Sequence, residues 1–417
     1  MRWCALGCAA LPAIILAVHA QRIAAHQPNA VSQPEKPYVV LVSLNGFRFD
    51  YPKKFGATHL LALAARGASA PDGMIPAYPS QTAPDLYTIV TGLYPGHHGI
   101  VAEDFYDPAR RQLYRSRDPK TADDGSWYGG VPLWSLMRQQ GVPSAALSWP
   151  GSQAKIAGER PSYSVPDGDG RVSDAQRIDR IITWLRLPAS RRPHFIAVSL
   201  ADVERAARSS GPDSRQAAAA ARHLDLLLGT LERDLEAMHL PVDLVIVSDQ
   251  GMASVGGDWI DLDSYAPLGG FITAGASLYA PSEAAANAAY QKLKAADARF
   301  MVYRRANVPA QLHFNGNPRE GDPVIVARGP YAIRALSASA ANSHPAKGES
   351  GFDPFLMPEM RGIFCAEGPD IRRGVTLQPF ESVNIYPLIA EILGLKTPPS
   401  DGNVNILSGI LNSSAAR

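Results

Sequence analysis

Continuous apolar runs, not alternating ones, mark the middle of this chain. Tyr38-Val-Val-Leu-Val-Ser-Leu44 is one such run, rich in β-branched residues and ending at Asn45-Gly46. Phe195 to Leu200 and Val242 to Val247 repeat the pattern, the second closing on Ser248-Asp249-Gln250-Gly251. Short runs that are apolar on both faces read as strands buried inside a parallel sheet. Between them, Ser214 to Met238 is rich in Ala and Leu, with charges spaced along one face, and predicts a helix. His59 to Arg66 predicts another, and the apolar stretch Val383 to Leu393, stopped by Gly394, predicts a third. Strands alternating with helices specify an α/β fold: a doubly wound, mostly parallel sheet with helices on both faces. Such sheets carry their sites outside the carboxyl ends of the strands. Asn45 and Asp249 stand at two of those ends.

The texture changes from 259 to 328. Short strand candidates, Phe300 to Tyr303 and Val324 to Ala327, flank a helix at Ala284 to Ala296, and the stretch reads as a small α+β insert. At the other extreme, Arg2 precedes an apolar run from Trp3 to Val18, and Val18-His19-Ala20 offers a small-residue cleavage site. Residues 1–20 therefore read as a secretory signal peptide. Cys8 admits a lipoprotein reading, and a retained anchor is the further alternative, although the run is short for a span. Residues 21–36 read as a polar tether and 37–412 as the folded domain. The expected location is secreted or periplasmic, with no membrane span once the signal is removed.

Charge excludes more than it suggests. Lys and Arg number 40 against 39 Asp and Glu, and loss of the leader with Arg2 brings the two signs level. No net field draws the chain to nucleic acid or anionic lipid. Cys4 and Cys8 leave with the leader, so Cys365 alone remains and no internal disulfide can form.

The chemistry-bearing passage runs from Met74 to Ile100 and contains Tyr78-Pro79-Ser80-Gln81-Thr82-Ala83-Pro84-Asp85. It resembles the nucleophile segment of the type I phosphodiesterase/nucleotide pyrophosphatase family, within the alkaline phosphatase superfamily. The likeness continues in family order through Phe105-Tyr-Asp-Pro108, Trp149-Pro-Gly-Ser152, Ser248 to Met252, Leu312 to Arg319, Gly351-Phe-Asp353 and Asn384 to Ile389. The resemblance implies an alkaline-phosphatase-like fold and hydrolysis at two zinc ions, with Ser80 at the nucleophile position. From the local sequence, Ser80 reads equally as that nucleophile or as the cap of the helix begun by Thr82-Ala83-Pro84. The helix would aim backbone N–H groups at an anion beside it.

The other positions implied by the resemblance are mostly substituted. Asn45 stands where the family has its first metal-binding Asp. Glu204 and Arg208 stand in the loop after the third strand, where an Asp and a His would bind, with Asp202 as a substitute if that loop shifts. Asp249 is retained, Gln250 replaces a His, and Ser350 replaces the last His; His344 lies six residues upstream. Asp85 replaces the Asn that contacts the oxyanion, and its charge would repel phosphate. His98 matches a structural His of the family, and His97 reads as a surface residue. A guanidinium roughly 4 Å from a divalent ion is repelled by about 8 kcal/mol at an effective dielectric near 20, and it has no lone pair to offer.

The leading expectation is thus a pseudo-hydrolase without a metal, its old cleft binding a small anionic ligand or ester. Hydrolysis of a phosphodiester, pyrophosphate or sulfate-like ester through Ser80, with one metal held by Asp249, Glu204, Asn45 and Ser80, is the second reading. A purely structural envelope protein is the third. Arg208 either bridges Glu204 and Asp249 in place of the lost cation or points to solvent.

Overall fold

The computed structural model describes residues 37–165, 172–256, 259–335 and 345–412. The proposed signal peptide, the tether and His344 lie outside the described residues. Among the described residues, no helix is long and apolar enough to cross a membrane.

An eight-stranded sheet runs in the order Val375–Thr376, Ala68–Ser69, Phe364–Glu367, Val242–Val247, Tyr38–Leu44, Phe195–Leu200, Ser144–Leu147, Tyr163–Val165. From Val242–Val247 onward the neighbours are parallel, and Phe364–Glu367 joins them antiparallel. The apolar runs explain this placement, because strands covered on both faces need apolar side chains at successive positions. In Tyr38–Leu44, Val39 and Leu41 enter one core with Leu86, Ile89 and Trp134. Tyr38, Val40, Val42 and Leu44 enter another with Leu63, Ile181, Leu228 and Leu231. Helices therefore cover both faces, among them Thr82–Thr91 and Leu133–Gln139 on the first and Asp174–Leu185 and Arg215–Met238 on the second.

Register brings the site together. Ser43 pairs with Ser199 on one side and Val247 on the other, so three loops leave the sheet at one level. One loop carries Asn45, another Asp249, and the third enters the helix Asp202–Ser210. That segment is a correction to the sequence reading, which places Glu204 and Arg208 in a loop. The buried Asp174 carboxylate accepts the Ala201 and Asp202 N–H groups at 3.2 and 3.1 Å, fixing the helix start. Gly211, at φ 101°, ends it. Gly46, at φ 66°, lets the Asn45 loop press against this helix, since a Cβ there would lie 3.1 Å from the Glu204 Cα.

The chain from Ile260 to Ala335 packs a core of its own around Leu262, Leu278, Leu293, Phe300 and Val302. Its helix is Glu283–Leu293, and the strands Phe300–Tyr303 and Val324–Ala327 pair antiparallel.

Candidate functional site

A cavity of about 310 Å³ opens at the carboxyl end of the sheet, lined by Thr82, Glu103, Arg117, Glu204, Arg208, Glu349 and Ser350, among others. A larger trough of about 1220 Å³ shares Arg117, Glu204 and Arg208 with it and extends past Tyr128, Trp149 and Lys347. Glu204 and Arg208 form part of both walls because they lie one turn apart on the Asp202–Ser210 helix.

Ser80 is not the cap of the helix that follows it. The helix does begin at Thr82, but its cap residue is Gln81, and Ser80 is fully buried beside it. The Ser80 hydroxyl donates to the Phe352 carbonyl at 2.6 Å, while the Ser80 carbonyl accepts the Gly351 N–H at 2.7 Å. The residue thus joins two segments beneath the cavity and is not part of its lining. The helix N-terminus is also engaged, because the Glu103 carboxylate accepts the Ala83 N–H at 2.7 Å and the Ser116 hydroxyl.

The buried residues form a floor. Asn45 Oδ1 accepts the hydroxyls of Ser43 and Ser199 at 3.1 and 3.0 Å. Asp249 Oδ1 accepts the N–H groups of Gly46 and Gln250 at 3.0 and 2.8 Å. Burial, reinforced by the Glu204 carboxylate, raises the Asp249 carboxyl well above the ordinary range. The Gln250 amide lies 3.1 Å from Thr82 Oγ1, and with its oxygen toward that hydroxyl its NH2 donates to Asp249 Oδ2 at 3.0 Å. Asp85 does not face the cavity to repel a phosphate there. It is fully buried, and its Oδ1 accepts the Ala77 N–H at 2.7 Å. Burial, then the nearby Asp249, holds its carboxyl well above the ordinary range.

Arg208 bridges two carboxylates, but one is not the carboxylate expected. Its Nη2 lies 3.3 Å from Glu204 Oε1 and its Nη1 lies 2.6 Å from Glu349 Oε2. Asp249 is served by backbone N–H groups instead. Asp202 lies outside both cavity walls, paired with Arg205, so the alternative register is not adopted. His98 is fully buried; the Ile100 N–H donates to its Nδ1 at 3.1 Å and its Nε2 lies 3.0 Å from Thr88 Oγ1. Burial lowers its imidazole to about 3, consistent with a structural residue. His97 is exposed and paired with Asp401 at 2.7 Å.

The two zinc ions implied by the resemblance do not fit these residues. Paired zinc ions require imidazole nitrogens and ionised carboxylates around each metal. Arg208, Gln250 and Ser350 supply no such nitrogen, and the Asn45 oxygen already accepts two hydroxyls. Among the described residues, no group of three or more His, Cys, Asp or Glu side chains is disposed to hold a metal ion.

Sequence reasoning misses Glu103 and Glu349. Glu349 sits immediately before Ser350, and its signal is a carboxylate adjoining a motif position. Glu103 sits in the polar turn after Ile100, where nothing in the local pattern distinguishes a helix-capping acid from a solvated one.

The doubly wound, mostly parallel sheet with its cleft at the strand carboxyl ends is the architecture expected of the alkaline phosphatase superfamily. Residues 39–353 match the family described as type I phosphodiesterase/nucleotide pyrophosphatase, and the chain belongs to that family. It is 32% identical to an uncharacterized pyrophosphatase/phosphodiesterase of Schizosaccharomyces pombe, over 87% of this chain and 78% of the relative. It is 29% identical to human ectonucleotide pyrophosphatase/phosphodiesterase family member 5, over 92% of this chain and 80% of the relative. Against mouse family member 1 the identity is 30% over 92% of this chain, which spans only 44% of that longer protein. Among solved structures, an inactive variant of mouse family member 5 in complex with AMP superimposes with a TM-score of 0.84 at 26% identity, covering 90% of this chain and all of the other.

Proposed function

We propose that this chain keeps the fold and cleft of its family as a binding protein and does not carry out two-metal hydrolysis. The observation that carries this reading is Ser80, fully buried with its hydroxyl donated to the Phe352 carbonyl. A nucleophile must present its oxygen to the reacting atom with a base at hand, and here the hydroxyl faces the protein interior. The substituted ligand positions support the same reading, and no metal cofactor is proposed. The ligand is a small anionic molecule or ester in the cleft, where Arg117 and Lys347 lie along the trough. A secreted or periplasmic location is proposed from the apolar leader and agrees with relatives named as ectonucleotide enzymes.

The test combines three measurements on purified protein: zinc content, hydrolysis of a nitrophenyl phosphodiester, and the melting temperature with and without AMP. The reading predicts less than stoichiometric zinc, no Ser80-dependent hydrolysis and a rise in Tm with AMP. Stoichiometric zinc together with hydrolysis lost in Ser80→Ala establishes the hydrolase reading instead. No Tm response to AMP or to other small phosphate esters leaves the fold as scaffold only.

A further inference from the structure

The Arg208 guanidinium is held between carboxylates from two separate segments. Glu204 lies on its own helix; Glu349 lies on a two-residue strand paired antiparallel with Ala253–Ser254, just past the Asp249 loop. Glu103 faces the same cavity. Three acids gathered at one cavity repel one another unless a cation lies among them. A guanidinium can meet two carboxylates at once from its planar fork, and it remains charged at any working pH. Its Nε is buried without a partner, although the side chain as a whole is 36% exposed along the wall.

We propose that Arg208 is a built-in counter-cation, a clamp between Glu204 and Glu349 that replaces by a covalently attached charge the charge its family's cleft takes from metal. The proposal rests on the metal-free reading above. A bound dication needs imidazole ligands and exchanges with solution; the clamp needs neither ligand nor supply. It ties the Asp202–Ser210 helix to the Gly348–Glu349 strand at a point where Glu204 and Arg208 line both the small cavity and the trough. The contact is reinforced nearby, where Gly348 approaches so closely that a Cβ would lie 2.5 Å from the Ala207 carbonyl oxygen. The cleft therefore keeps its shape whether or not metal is present.

The experiment follows the melting temperature of the full chain in chelator and in added zinc. The parent Tm is the same in both. Arg208→Ala lowers Tm by roughly 2–4 °C, and Glu349→Gln added to it restores part of the loss, because the unpaired acid is gone. Zinc raises the Tm of Arg208→Ala but not that of the parent, since the exposed carboxylates then accept an external cation. Arg208→Lys, which keeps the charge without the fork, falls between parent and Arg208→Ala, and its cycle with Glu349→Gln replaces the first if Arg208→Ala does not fold. An Arg208→Ala Tm equal to the parent's, or strictly additive losses in the cycle, overturns the clamp and leaves the proposed function standing. Stoichiometric zinc in the parent overturns both.

Discussion

The carboxylate of Glu103 accepts the backbone N–H of Ala83 at 2.7 Å, so the helix that follows Ser80 already has an anion at its first turn. Unpaired N–H groups and the aligned peptide dipoles make that position favourable for negative charge. An internal acid thus occupies the seat that the Pro-initiated helix would otherwise offer to a ligand. Glu103→Ala should destabilise the protein by about 1–2 kcal/mol, by the measure of other lost caps. Glu103→Gln, which keeps an acceptor but not the charge, should lose less. Chemical denaturation of the three proteins checks the order; equal stability of Glu103→Ala and the parent would show the contact to be energetically idle.

Asp243 predicts a pH dependence remote from the cleft. It is fully buried, its Oδ1 accepts the Asp370 N–H at 3.0 Å, and its Oδ2 has no partner. Burial pushes its carboxyl from the usual 3.8 to about 8. The folded state therefore holds this proton more tightly than the unfolded chain. Its contribution is fully present below the unfolded pKa and is lost as pH rises through the folded one. Across that window the group removes up to ~1.4 kcal/mol of stability per pH unit. Asp243→Asn should flatten the decline between about pH 5 and pH 8. Urea denaturation across that range measures it, and parallel stability profiles for the two proteins would refute the assignment.

How much of this was legible in the sequence differs between sheet and site. Tyr38–Leu44, Phe195–Leu200 and Val242–Val247 declare themselves because burial on both faces forces unbroken apolar runs, and the residues after them fall at the site by register alone. The partner of Arg208 is not legible in that way. Choosing Glu349 over Asp249 requires knowing that 202–210 is a helix, which sets the direction of the arginine, and that Glu349 is delivered by a strand pairing with Ala253–Ser254. The hydrogen-bond partner of Ser80 is not legible for a similar reason. Its hydroxyl is claimed by the Phe352 carbonyl, 272 residues away in the chain, and no local pattern records so distant an acceptor.

Arg319 shows what a fixed fork contributes elsewhere in the fold. Its Nε donates to Asp107 Oδ2 at 2.9 Å, and its Nη1 donates to the carbonyls of Gly99 and Trp127 at 2.9 and 2.8 Å. The guanidinium also lies over the rings of Phe105 and Trp127. Lysine can keep the charge but cannot reach three directions or stack. Arg319→Lys should therefore cost roughly 2–4 kcal/mol, close to breaking a buried pair outright. A loss under ~0.5 kcal/mol, the size expected for a surface change, would show that charge alone holds the contact.

Ser80→Ala separates the structural role of that hydroxyl from a catalytic one. Removing it leaves the Phe352 carbonyl without its 2.6 Å donor in a buried setting, which should cost about 1–2 kcal/mol. Because Ser80 does not line the cavity, the rise in Tm produced by AMP should be the same in Ser80→Ala as in the parent. Glu204→Gln is the contrasting variant: it changes a group on the walls of both cavities, so there the AMP-induced rise should change. Paired thermal melts with and without ligand read both effects at once. A Ser80→Ala protein as stable as the parent but with an altered ligand response would place the hydroxyl on the ligand and not in the floor, and the binding reading would have to yield to one in which Ser80 does chemistry.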